Sequence, residues 1–175
     1  MKFSRYLTKF IASLILVLSY VLLPKCGFTP FDGTLINHVL YPFSHANVWH
    51  LIANIMCIWM VTCRMHIVTA YIVAVLCSFI PSVSLFDCLV NGCVECSKEP
   101  TMGFSGVLFV TVGISWGKIR AFRDMIWKNK LYLIIPAFLP HINFLIHIYC
   151  IIAGYMVGSI LFSRLKSCVK KYANL

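Results

Sequence analysis

The chain has 175 residues, of which 61% are apolar and 11% charged, with a mean hydropathy of +0.88. Ordinary soluble domains are about 45–50% apolar and about 25% charged, and a soluble fold of this size cannot hide so much apolar surface. A bilayer must solvate most of the chain, which excludes disordered and collagen-like classes and argues that the formal +10 charge is no nucleic-acid footprint.

Six spans of about 20 residues take roughly 120 positions and leave about 55 for loops and tails, too few for a separate soluble domain. Apolar runs bounded by turn or charge signals predict spans at 6–23, 48–63, 66–86, 103–117, 131–140 and 143–162. The first run follows Lys2 and Arg5 but ends without a small-x-small cleavage site, so it reads as a retained span. The fifth is short and holds Pro136 and Pro140. With these spans, 13 of the 15 Lys and Arg residues fall on one side, accompanied by Asp124 as its acid. Lys25 and Lys98 lie opposite, with Asp32, Asp87, Glu95 and Glu99. The positive side is therefore predicted to be cytoplasmic and to hold both termini. The expectation is an all-α polytopic bundle forming one domain over 1–175, with a core at about 6–162 and a basic cytoplasmic tail at 163–175.

Two sizeable loops then face the other way. Residues 25–47 carry scattered apolar side chains (Phe28, Phe31, Leu35, Ile36, Val39, Leu40), and such a loop is expected to pack on or into the membrane surface. Residues 87–102 carry Cys88, Cys93 and Cys96, with Cys26 on the same side. Four cysteines facing an oxidising compartment suit two disulfides, with a Cys-x-x-Cys metal site as the alternative. Cys57, Cys63, Cys77, Cys150 and Cys168 read as small apolar fillers in or near spans.

No Asp or Glu falls inside any predicted span. A carboxylate proton relay, an aspartyl protease and a Ser-His-Asp triad at membrane depth all lose an essential group. Polar groups that remain in the spans are few. His50 and Asn54 are four apart, so a helix puts both on one face; the plain reading is interhelical hydrogen bonding. Gly103-Phe104-Ser105-Gly106 opens the fourth span. Its glycines permit close backbone approach, and Ser105 falls in a first turn, where free N–H groups favour an oxyanion. A rise of about 22 Å for 103–117 is short of the roughly 30 Å core, so Ser105 is expected to lie submerged in a wet pocket. The plain alternative is small-residue helix packing. His147 falls a turn or so inside the sixth span, level with Ser105, with Gly154 and Gly158 further along. A lone histidine there is commonly structural, yet a serine and an imidazole at matching depth on adjacent helices suit a nucleophile–base pair.

Three separated elements resemble the rhomboid family of intramembrane serine proteases, in order and in topology. The stretch from His45 through His50 to Asn54 resembles its H-x4-H-x3-N. Gly103-Phe104-Ser105-Gly106 resembles its G-x-S-G, and His147 with Gly154 resembles the pattern of its last span. The resemblance implies that Ser105 is the nucleophile and His147 the general base. His50, Asn54 and the Ser105 N–H would form the oxyanion hole, and His45 would be structural. It implies hydrolysis of transmembrane segments of other membrane proteins through an acyl-enzyme, without a cofactor or metal, at a site opening to the non-cytoplasmic side. It also implies lateral substrate entry near spans two and five, which a disulfide tying those spans together would slow.

The chain departs from the family at several points. The first-loop Trp-Arg pair is absent. Cys150 stands where many members have glycine, which would space spans four and six apart. Phe109 stands where some have tyrosine under the imidazole. The alternatives are a pseudoprotease that binds membrane proteins without cutting them, a small transporter or channel, and a metalloenzyme on His45, His50 and His147. The first of these usually lacks the serine or the histidine. The second is disfavoured by the lack of buried carboxylates and of repeated broken spans. The third lacks a carboxylate base.

Overall fold

A computed structural model describes residues 2–29, 33–60, 66–82, 84, 88–90, 100–119 and 142–172. Its helices are α1 (Lys2–Leu22), α2 (Leu35–Leu40), α3 (Val48–Met60), α4 (Ile67–Ser78), α5 (Ser105–Ile119) and α6 (Phe144–Tyr172). A 3₁₀ turn at Tyr41–Phe43 follows α2. Among the described residues the extended pairing is an isolated antiparallel bridge between Phe28 and Thr101. The fold is all-helical, as expected. The predicted fifth span at 131–140 lies outside the described residues, as do Phe31, Cys93 and Cys96.

Several boundaries differ from the sequence expectation. The third span was predicted over 66–86, yet α4 ends at Ser78. Pro81 cannot continue a helix and disfavours helical backbone at Ile80 before it, while the Ser78 hydroxyl donates to the Val75 carbonyl at 2.6 Å. The last helix does not stop at Phe162 but continues to Tyr172, so part of the basic tail is helical. Its Phe144–Phe162 portion is long and apolar enough to cross a bilayer, whereas Tyr6–Leu22, Val48–Met60, Ile67–Ser78 and Ser105–Gly117 are apolar but shorter.

Burial follows composition. On α1, Phe10, Leu14, Leu18 and Val21 form an exposed apolar face, and Lys9, Ala12 and Leu16 point inward. Lys9, expected as a cytoplasmic charge, is buried and donates from Nζ to the Trp59 carbonyl at 2.9 Å. A cation there satisfies an orphan carbonyl in the last turn of α3. Helix α5 is apolar all round and occupies the centre: Val107, Val110, Ile114 and Trp116 are buried in it.

Among the described helices the closest pair is α5 and α6. A Cβ added at Gly154 or Gly158 would collide with the carbonyls of Val110 or Ile114 on α5. One added at Gly113 or Gly117 would collide with those of Ile151 or Tyr155 on α6. Four glycines thus bring two backbones into contact, and two of them, Gly113 and Gly117, carried no signal in the sequence reading. The expectation that Cys150 spaces these helices apart is corrected. Its thiol is buried, faces the Cys77 thiol of α4, and lies 3.5 Å from where a Gly106 Cβ would stand.

The first loop is anchored into the bundle. Phe28 is buried between His38 and Tyr41, with ring centroids at 4.8 and 5.0 Å. His38 Nδ1–H donates to Ser78 Oγ at 2.9 Å, because the Ser78 proton is given to Val75. Tyr41 and Tyr71 hydroxyls donate to the Ala74 and Val39 carbonyls at 3.1 and 2.9 Å, tying loop to α4. Leu35 and Ile36 remain exposed. Two disulfides among Cys26, Cys88, Cys93 and Cys96 do not form: Cys88 is disulfide-bonded, but Cys26 is a free thiol.

Candidate active site

The site is built on the ends of three helices. Asn47 precedes α3, and its Oδ1 accepts the His50 N–H at 2.9 Å, an N-cap that starts the helix just before His50. Asn54 then falls one turn on, buried, and donates one amide N–H to the His50 carbonyl at 2.9 Å. The sequence had both side chains offering donors to one face; in the fold, half of the Asn54 donor capacity is spent within its own helix. The second N–H is left for the cavity.

Gly103 has φ +117°, a conformation that L side chains rarely adopt. A Cβ there would lie 2.7 Å from His50 Cε1, so the backbone passes directly beneath that ring. The Gly103 N–H donates to the Tyr41 carbonyl at 2.8 Å. This turn delivers Ser105 as the first residue of α5, where its N–H has no intrahelical acceptor. A Gly106 Cβ would lie 2.7 Å from the Tyr41 hydroxyl, so tyrosine in the first loop and glycine in the fourth predicted span fit one another.

Ser105 Oγ and His147 Nε2 are 2.9 Å apart. His147 is buried and stacks on Phe109, with ring centroids 4.3 Å apart and planes 21° from parallel. Its Nδ1 has no hydrogen-bond partner among the described residues. With Nε2 accepting from the serine, the neutral ring carries its proton on Nδ1. Among the described residues no carboxylate orients the imidazole; packing on Phe109 does. Should the ring become protonated, the π face of Phe109 attracts the cation by about 0.5–2 kcal/mol.

His45, expected to be structural, is buried just before α3 and meets His50 edge-on at 5.3 Å. Burial, and secondarily the nearby His50, lowers its pKa to about 4, while the Phe43 backbone, close but outside hydrogen-bond geometry, opposes the shift. It is therefore neutral at pH 7 and adds no charge beside His50.

One cavity of about 300 Å³ joins these groups: His50, Asn54, Ser105 and His147 all line it. Thr101 and Asn143 line it too, and neither was singled out from sequence. Asn143 was visible only as the start of a span; a polar residue at a predicted N-cap four before His147 was the available signal. Gly154 stands off from the cavity, in the backbone contact of α5 with α6.

A family model described as the Rhomboid domain matches residues 32–164. No curated protein and no solved structure matches the chain.

Proposed function

Since this chain belongs to the rhomboid family and is thereby an integral membrane protein, we propose that it is an intramembrane serine endopeptidase cutting transmembrane segments of other proteins. The observation that carries the reading is the 2.9 Å contact between Ser105 Oγ and His147 Nε2 at the wall of a cavity. In this reading the chain spans the bilayer six times with both termini cytoplasmic, and the cavity opens to the opposite side.

His147 takes the Ser105 proton as Oγ attacks the scissile carbonyl, giving a tetrahedral oxyanion. The Ser105 N–H, the free Asn54 N–H and the His50 ring are the donors that receive it. Collapse expels the amine, which takes its proton from His147 Nε2, and leaves an acyl-enzyme. Water then repeats the cycle in reverse order, with His147 again as base. The neighbouring Phe109 face supports the imidazolium at each tetrahedral stage.

The test is labelling of the detergent-purified protein by a fluorophosphonate, with Ser105→Ala beside it. Wild type is expected to label and Ser105→Ala to stay blank. A folded wild type that stays blank would favour the pseudoprotease.

A milder loss is expected for Asn54→Ala. One oxyanion donor is worth about 10²–10³ in rate, and the substitution also frees the His50 carbonyl. Cleavage of a transmembrane substrate should slow by that factor with little change in apparent substrate affinity. An unchanged rate would remove Asn54 from the oxyanion site.

A further inference from the structure

Asn143 joins three parts of the chain. Its Oδ1 accepts the Ile146 N–H at 3.3 Å, capping α6 one turn before His147. Its amide N–H groups face the Thr101 hydroxyl at 2.7 Å, the Ser82 hydroxyl at 2.9 Å and the Ser82 carbonyl at 3.1 Å. Ser82 is buried beyond the end of α4. Thr101 is paired to the first loop by two main-chain hydrogen bonds with Phe28, at 2.7 and 3.2 Å, and precedes the turn at Gly103 that delivers Ser105.

A cap alone does not need this arrangement. Serine at the same position would cap α6 about as well, but its hydroxyl is too short to cap and also reach Thr101. The second half of the asparagine side chain holds the start of the base-bearing helix to the segment that aims the nucleophile. Ser105 and His147 lie on separate helices, and the Gly113–Gly154 contact fixes how close those helices run but not how α6 is turned at its free end. Asn143 supplies that constraint at the site end.

We propose that Asn143 is a positioning residue: by bridging the α6 N-terminus to Thr101 and Ser82 it sets the His147 ring in line with Ser105 Oγ. The role rests on the protease reading above. A misplacement of about 1 Å at a reacting pair costs on the order of 10²-fold in rate, so the bridge matters to turnover far more than to binding.

The experiment measures fluorophosphonate acylation rates as a function of probe concentration for wild type, Asn143→Ser, Thr101→Val and the double variant, with thermal unfolding in detergent as control. Asn143→Ser keeps the cap and Thr101→Val keeps the shape. Each is expected to lower the saturating acylation rate about 10- to 100-fold, with half-saturating probe concentration little changed. Because Asn143→Ser already removes the contact that Thr101→Val cuts, the double variant should be barely slower than Asn143→Ser alone. Wild-type rates in Asn143→Ser, or losses that multiply in the double variant, overturn the bridge while leaving the protease reading intact. A folded wild type that never acylates overturns both.

Discussion

Replacing His147 by alanine is expected to slow acylation of Ser105 by about 10⁶-fold, the loss seen when a serine nucleophile is deprived of its base. A serine hydroxyl is a poor nucleophile at neutral pH, and the 2.9 Å contact with Nε2 is what the reaction has in place of hydroxide. The variant leaves a hole against Phe109, so folding must be checked. Loss of a buried aromatic-sized side chain costs about 3–5 kcal/mol in well-packed cores, but His147 already borders a cavity, which lessens that cost. The measurement is the rate of substrate cleavage across the neutral pH range. The variant should rise in proportion to hydroxide, with the imidazole no longer in the profile. A variant within about tenfold of wild type would show that proton transfer does not pass through His147.

Gly154→Ala is the second large effect, and it acts through packing. In an isolated helix, alanine is better than glycine by about 1 kcal/mol. Here the added methyl would meet the Val110 carbonyl, with Val110 Cα and C both at 3.0 Å. Those atoms belong to the backbone of another helix, so no side-chain rotation relieves the clash. Overpacking of this kind costs about 1–3 kcal/mol or more, and the steric term should win. Thermal unfolding in detergent should show a lowered Tm. Because α5 carries Ser105 and α6 carries His147, the variant should also lose activity, by a larger factor than its stability loss explains. Gly158→Ala makes the matching clash with Ile114 one turn further from the site. It should cost similar stability and less activity. A Tm at or above wild type in both variants would mean that α5 and α6 do not touch through their backbones.

These expectations rest on different depths of reading. Composition, charge bias and three short motifs sufficed to anticipate an all-helical membrane protein of the rhomboid family. Ser105 and His147 were paired because both are polar groups a turn or so inside a predicted span, and the family resemblance added His50 and Asn54 to them. Periodicity was a poor guide to where helices stop. The apolar run of α4 continues past Ser78, but Pro81 ends it, and hydropathy is blind to that stop. It was equally blind to Gly113 and Gly117, since a small residue in an apolar helix looks the same whether it faces lipid or another backbone.

Sequence alone supplied the chemistry: the polar set of Ser105, His147, His50 and Asn54, five acids that all fall outside the predicted spans, and the family pattern. Local composition is sufficient there, because burying a polar group in hydrocarbon carries a penalty whatever the fold. Which residues meet was settled by folding. It spent one Asn54 donor on the His50 carbonyl, seated Tyr41 beneath Gly106, turned Cys150 toward Cys77, and made Asn143 a bridge from α6 to Thr101. Apart from the Asn54 turn, those contacts join residues 42 to 73 positions apart. They depend on helix rotation and close approach, which a linear pattern of apolar and polar residues leaves unspecified.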